Sequence, residues 1–200
     1  MTPAHAALVL AAGGSRRLGR AKQLLRRDGE ALVHRAVRLA AQTRPQRLLV
    51  VTGAYDTVVR AALAGFGIEP LFNPHWAQGL ASSLQQAAAA LHDFSGATLV
   101  VGCDQPALAA EHLQQLLDGA STAASGCAAT AHGSALGIPA VVSAALLREA
   151  AHLQGDRGLG AALTRLPSDS VWRLEAPELA LDIDVETDVV KAQALGLLDR

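Results

Sequence analysis

Aromatic side chains are nearly absent from this chain: three Phe, two Trp and one Tyr among 200 residues. So few rings leave the core to aliphatic side chains and provide little surface on which nucleic-acid bases could stack. Cysteine is equally scarce. Cys103 and Cys127 stand in apolar surroundings without metal-ligand spacing, which argues against a disulfide scaffold or a thiolate centre. They read as two buried thiols in a reducing cytoplasm. No apolar run approaches the length of a membrane span, and Met1-Thr2-Pro3-Ala4-His5 lacks the charged start of a leader peptide. An excess of charge of either sign is also missing. The net charge of −1 argues against a generic binder of nucleic acid or anionic membrane.

What remains is an aliphatic chain of one-domain size, with residues 1–200 read as a single domain able to bury a sizeable core. Half of its residues are hydrophobic. Basic residues gather between Arg16 and Arg47, and many acidic ones lie in the last thirty positions. That asymmetry suits a small anionic ligand held by one half and a metal held by the other.

The most informative stretch is near the start. Leu8, Val9 and Leu10 read as a buried strand. It ends in a loop where Gly13, Gly14 and Gly19 remove side chains and Arg16, Arg17, Arg20 and Lys22 supply charge. A strand feeding a bare, basic loop prepares a site for phosphates. The loop fits neither common phosphate motif. Gly14 to Gly19 has P-loop spacing, but Arg20 and Ala21 stand where Lys and Ser/Thr belong. The dinucleotide spacing Gly-x-Gly-x-x-Gly fails as well. Lys22 is expected to be an exposed loop cation.

Strand and helix signals then alternate. Strands are expected at 6–11, 47–52, 68–72 and 97–102, with helices at 30–42, 57–64, 82–91 and 111–117. Less regular strands follow at 127–131, 138–142 and 171–174, with helices over 144–152, 158–166 and 187–198. This pattern predicts an α/β fold, a Rossmann-like doubly wound and mostly parallel sheet, with ligands at the C-terminal ends of its strands.

Several groups carry chemistry. Asp104 follows the apolar strand at 97–101 and stands at the ligand edge, where a carboxylate can hold a divalent ion that bridges phosphates. Asp182 and Asp184 are expected on one face of a strand, where they repel unless a cation compensates. One is read as near a metal and the other as capping the next helix; spacing leaves their order open. Asn73 to Ser83 is a loop entering a helix, in which Gly79 frees the backbone and Asn73, Ser82 and Ser83 offer polar groups to a base or ribose. Trp76 reads as a packing lid. Asp156 and Arg157 form a glycine-flanked charged turn, Arg157 suited to a substrate phosphate and Asp156 to its partner or a helix cap. Gly137 and Pro139 precede an apolar run suited to the floor of a second substrate site. The seven histidines show no metal spacing, and His132, in a glycine-rich loop, is the one of interest. No Ser-His-Asp or Cys-His arrangement is evident.

Leu10-Ala-Ala-Gly-Gly-Ser-Arg-Arg-Leu-Gly-Arg-Ala-Lys22 resembles the signature loop of the Rossmann-like nucleotidyltransferases. The ordered set of Asn73-Pro, Gly79-Leu-x-Ser-Ser83, Asp104-Gln-Pro, Gly137-x-Pro139, Gly155-Asp-Arg-Gly158 and Asp182-Ile-Asp184 is narrower. It resembles the molybdenum cofactor cytidylyltransferases and their MobA-like relatives along nearly the whole chain. The resemblance implies a fold of the nucleotide-diphospho-sugar transferase type and a Mg²⁺-dependent reaction. CMP is transferred from CTP to the terminal phosphate of molybdopterin, and pyrophosphate is released. It also implies that Leu10, Ala11, Ala12, Gly13, Gly14, Ser15, Gly19 and Lys22 hold the nucleotide, with Asn73, Gly79, Ser82 and Ser83. Arg17, Lys22 and Asp104 act in catalysis, and Asp104 with Asp182 or Asp184 binds Mg²⁺. Gly137, Pro139, Asp156 and Arg157 meet the second substrate, and a molybdoenzyme is a candidate recipient of the product. Leu18 replaces the usual Met, and Ile138 stands where relatives often carry a polar residue. The rival readings are a GTP-dependent or sugar-phosphate nucleotidyltransferase of the same fold, and a non-catalytic carrier or chaperone of the cofactor.

Overall fold

The computed structural model describes residues 4–200; Met1, Thr2 and Pro3, on which the leader reading partly rests, lie outside them. Strand β1, His5–Ala11, is buried along almost its whole length. Its residues divide between the two faces: Ala7, Val9 and Ala11 join one core, Ala6 and Leu8 the other. This is the alternation of a strand covered on both sides. β1 is flanked in parallel by β4, Arg47–Thr52, and by β6, Ala97–Gly102. β5, Glu69–Phe72, adds beyond β4. After β6 come β7, Cys127–His132, β8, Ala135–Val142, and β9, Val171–Leu174. The sheet order is β5-β4-β1-β6-β8-β7-β9, and only β8 runs against the rest. The expected mostly parallel α/β sheet is therefore present.

Helices cover both faces. α1 (Leu32–Gln42), α2 (Asp56–Ala62) and α4 (Ala110–Thr122) pack on one, through side chains such as Val37, Val59 and Leu116. α3 (Leu80–Ala90), α5 (Ala144–Arg148) and α6 (Gly160–Arg165) pack on the other, through Leu84, Leu147 and Leu163. α7, Glu186–Ala194, adds a smaller cluster of Ile183, Val189, Ala192 and Leu198 against Leu32. Ser143 caps α5 by accepting the Leu146 N–H at 3.3 Å. The helix expected over 144–152 becomes a 3-10 turn from Glu149.

The chain runs outward from β1 through β4 to β5, then returns to place β6 on the other side of β1. Leu10 pairs with Gly102 at that switch. The loops after β1 and β6 thus leave the sheet side by side, where open α/β sheets bind ligands.

The strand expected to carry Asp182 and Asp184 does not form. Leu181–Val185 is not a strand; its backbone is irregular and joins no sheet. Nor does Asp182 or Asp184 cap α7. Asp188, inside the first turn, accepts the N–H groups of Asp184 at 3.0 Å and Val185 at 2.9 Å. A carboxylate three residues into the helix reaches back to the orphan donors, which frees both earlier aspartates.

A short hairpin, β2 (Arg26–Arg27) and β3 (Glu30–Ala31), precedes α1. Glu30 ties it to the helix by accepting from Arg38 Nε at 2.8 Å and Nη2 at 2.7 Å, with His34 Nδ1 at 2.7 Å. The Arg38 hydrogen bonds lead in holding the Glu30 carboxyl down, at about 2. A depressed carboxylate stabilises the fold fully above its ordinary value of 4.5 and loses that contribution as pH falls towards about 2. Glu30→Gln should therefore lower stability at neutral pH by about 1 kcal/mol. The gap in melting temperature from the parent should close between pH 4.5 and pH 2. Thermal melts across that range check this; a gap independent of pH would contradict it.

Candidate active site

The loop after β1 is held from behind. Gln23 donates its amide N–H groups to the carbonyls of Ala11 at 3.1 Å and Gly13 at 2.7 Å. The Ala54 N–H donates to the Ala12 carbonyl at 3.1 Å, and the Tyr55 hydroxyl to the Gly14 carbonyl at 3.3 Å. Four successive carbonyls are thus engaged on one side. Among the described residues, the N–H groups of Gly13, Gly14, Ser15 and Arg16 donate to no protein acceptor. Such a run of free donors is an anion cradle. Trp76 packs across it. A Cβ on Gly14 would fall 2.6 Å from the indole, and one on Gly53 would fall 2.7 Å from the Trp76 Cβ. The ring is a wall of the cradle and carries the Arg16 guanidinium over its face, 5.6 Å from the centroid.

The loop then turns back. Ser15, at φ +46°, accepts the N–H groups of Leu18 and Gly19 at 3.0 and 2.9 Å, and Gly19 closes the turn at φ +72°. Its hydroxyl accepts the Lys22 N–H at 3.2 Å. Lys22 is delivered into the site rather than to solvent. Its side chain is 14% exposed, and its ammonium donates to Asp104 Oδ2 at 2.7 Å and Asp184 Oδ1 at 2.8 Å. This corrects the expectation of an exposed cation. Burial opposes the charge, yet Asp104 and Asp184 outweigh it and hold the ammonium well above its ordinary value. Asp184 is held low by its Lys22 hydrogen bond, against partial burial and with help from Arg17 at 2.8 Å. The Ile183 N–H donates to the Asp104 carbonyl at 2.9 Å, fixing the two carboxylate segments in register.

Two cavities, each of about 420 Å³, meet here. The first is lined by Leu10, Ala11, Ala12, Gly13, Gly14 and Ser15. Arg17, Lys22, Gly79 and Ser83 also line it, together with Asp104, Asp156 and Asp184. The second is lined by Gly137, Arg157 and Asp182, with Gln105 and His132 as further polar groups and Leu84, Leu136 and Leu159 as apolar wall. Leu10, Leu80, Asp104 and Ile138 face both.

The structure separates some residues that the sequence grouped. Asp184 faces the first cavity and Asp182 the second, because their segment is not a strand. Neighbouring protein, then Asp104, raises the Asp182 carboxyl to about 6, although the residue as a whole is exposed. Asp156 and Arg157 likewise face different cavities. Asn73 is fully buried, with its amide spent on the hydroxyls of Ser82 at 2.8 Å and Ser83 at 3.0 Å. Ser82 is buried too, and the carbonyls of His75 at 2.9 Å and Gly79 at 2.8 Å share its single hydroxyl proton. Neither Asn73 nor Ser82 reaches a cavity surface; they lock the turn behind it. Gly19 lies outside the lining, and Pro139 is buried, its carbonyl accepting from Thr130 at 2.8 Å. The Cys103 thiol, pushed up to about 12 by burial and then by Asp104, is inert. Gln23 was not singled out in the sequence, since a lone glutamine carries no spacing pattern.

The donor set can be tested for a divalent cation. Two carboxylates converge on one small cation, the Lys22 ammonium. Among the described residues, no group of three or more His, Cys, Asp or Glu side chains is preassembled for a metal. Asp104 and Asp184 therefore fit an ion that takes its remaining oxygens from phosphates and water, as Mg²⁺ does.

A phosphate cradle beside paired carboxylates, at the switch point of a doubly wound sheet, defines a nucleotidyltransferase of the Rossmann-like class. The chain belongs to the MobA-like NTP transferase domain family, whose model matches residues 7–171. Among curated relatives, the bifunctional protein GlmU of Synechococcus sp. (strain JA-3-3Ab) is 36% identical over 115 residues, covering 56% of this chain and 18% of that protein. The chain thus spans about a fifth of that relative's length. Rv0371c from Mycobacterium tuberculosis superposes with a TM-score of 0.79 at 26% identity, over 96% of this chain and 98% of that one. A complex of Rv0371c with manganese superposes at 0.74 and 25% identity, over 94% and 97% of the two chains. Molybdopterin-guanine dinucleotide biosynthesis protein A from Archaeoglobus fulgidus shares the fold, with a TM-score of 0.66 at 20% identity over 95% and 97%. Among the described residues, no helix is long and apolar enough to cross a membrane.

Two outcomes are expected. Lys22→Met leaves Asp104 and Asp184 facing each other and should cost about 1–3 kcal/mol. Mg²⁺ should recover part of that loss in thermal melts, and a melting temperature indifferent to Mg²⁺ would oppose the pairing. Gly79 sits at φ +103°, and a Cβ there would lie 2.5 Å from the Gly155 backbone. Gly79→Ala should cost about 2–4 kcal/mol by denaturant unfolding, whereas a neutral result would contradict the contact.

Proposed function

We propose that residues 1–200 act as one catalytic domain that transfers CMP from CTP to the terminal phosphate of molybdopterin and releases pyrophosphate. The observation that carries this reading is the pair of cavities sharing a wall at Asp104. One has a phosphate cradle and cations. The other has an apolar wall with a few polar groups, suited to a flat, functionalised acceptor.

In this reading the free N–H groups of the 13–16 loop hold the triphosphate of CTP, and Ser83 and Gly79 border the nucleoside. Molybdopterin enters the second cavity, with Arg157 near its phosphate and Gly137 and Ile138 beneath it. A phosphate oxygen of the acceptor attacks the α-phosphorus of CTP. The new P–O bond forms as the bond to the β-phosphate oxygen breaks, and pyrophosphate carries away the electron pair. Lys22 and Arg17 neutralise charge that builds on the phosphoryl oxygens, so catalysis is positioning plus electrostatics. No protein nucleophile is needed. Asp104 and Asp184 would hold Mg²⁺, which would offset the charge of the phosphates; the manganese complex of Rv0371c supports a divalent ion. Asp182, in the second cavity, is assigned to the acceptor side instead of the metal. The chain works in the cytoplasm and passes its product to a molybdoenzyme, without nucleic acid or membrane.

Pyrophosphate release is the test. Purified protein with Mg²⁺ and molybdopterin should turn over CTP in preference to GTP, UTP and ATP. Preference for GTP, or turnover only with a sugar phosphate, would replace this reading with another transferase of the same fold. Molybdopterin binding without pyrophosphate release would make the chain a carrier. Asp104→Asn should shift the Mg²⁺ dependence of turnover about tenfold or more to higher concentration, and an unchanged titration would remove Asp104 from the metal.

A further inference from the structure

Gln23 is unusual among the residues around the first cavity. It is 1% exposed, and its amide oxygen is buried with no hydrogen-bond partner among the described residues. A buried acceptor left unmade is costly, so its retention calls for a reason. The reason lies at the other end of the amide. Two carbonyl oxygens, of Ala11 and Gly13, surround that end at 3.1 and 2.7 Å, so it must be the NH₂. The opposite orientation would press three oxygens together.

In a planar trans peptide, the C=O of one residue points opposite to the N–H of the next. Drawing the Gly13 carbonyl backward therefore turns the Gly14 N–H forward, into the cavity. At positions 13 and 14 the chain has no side chain to fix this orientation, and glycine peptides rotate with little steric resistance. Tyr55 acts in the same sense on the Gly14 carbonyl, at a longer 3.3 Å. The Ala12 carbonyl is held by backbone alone.

We propose that Gln23 is the positioning residue of the phosphate cradle: its amide sets the Gly13–Gly14 peptide so that the donors face a triphosphate. This rests on the proposed transferase reading and adds to it a residue that acts through the loop backbone, from a side chain 1% exposed. Its effect is confined to the triphosphate, because the second cavity does not include Gln23.

The test compares the parent protein with Gln23→Met and Gln23→Glu. Methionine keeps the volume, removes the two donors and also removes the orphan acceptor, so the fold should melt at or near the parent temperature. Binding of Mg²⁺-tripolyphosphate, measured by calorimetry, should weaken about tenfold, the worth of one charge-assisted hydrogen bond. The KM for CTP should rise by a similar factor while the KM for molybdopterin stays put. Glutamate places oxygen against both carbonyls and should weaken tripolyphosphate further. A general packing role would instead lower the melting temperature and move both KM values together, which overturns the proposal. Parent protein that binds tripolyphosphate no better than Gln23→Met does also overturns it while leaving the transferase reading intact. Parent protein that binds no tripolyphosphate at all overturns both.

Discussion

A single ammonium group joins three distant parts of this chain. Lys22 comes from the loop after β1, Asp104 from the end of β6, and Asp184 from the irregular segment before α7. Each carboxylate would repel the other without it. Arg17 on Asp184 and Arg20 on Glu186 extend the same pairing between the loop and the last helix. Those outer pairs are exposed and contribute little. The Lys22 group is largely sheltered, and it sets where the β1 loop can lie. The cradle, the paired carboxylates and the seam between the cavities all depend on that placement.

The arrangement keeps opposite charges together in one space. Positive charge is stored against acidic groups that face the same cavity. In the proposed reaction a triphosphate with its cation would meet both kinds of charge at once: loop donors and lysine for the phosphates, carboxylates for the ion. The two cavities divide the polar residues accordingly, Asp156 and Asp184 to one and Asp182, His132 and Arg157 to the other.

Much of this was legible in the sequence. Strands such as Arg47–Thr52 and Ala97–Gly102 are short, mostly apolar runs, the first stopped by Gly53 and the second set between Gly96 and Gly102, and the structure ends them where those signals stand. The glycine-rich basic loop and Asp104 were legible because both follow such strands directly. Side-chain direction was not. Asp182 and Asp184 looked like neighbours on one strand face, but no partner strand holds that segment, and local turns send them to different cavities. Asn73 and Ser82 have the polarity of ligand contacts and spend it inside a turn. Lys22 has the composition of a solvent-facing cation and is drawn inward by carboxylates 82 and 162 residues away. Long-range electrostatic closure of this kind leaves no local periodicity to read.

β8 is the one strand that runs against the sheet. Its reversed direction brings the beginning of a strand, Leu136 to Ile138, to the edge where every neighbouring strand presents its end. The wall of the second cavity is therefore attached to the tip of a hairpin, with only the two-residue turn Gly133-Ser134 between β7 and β8. Residues added at that tip would deepen or narrow the second cavity while leaving the pairing of β1, β4 and β6 untouched. The fold thus places its most adjustable joint beside the second cavity and its most constrained one beside the first. A lineage built on this frame can change the second cavity far more readily than the first.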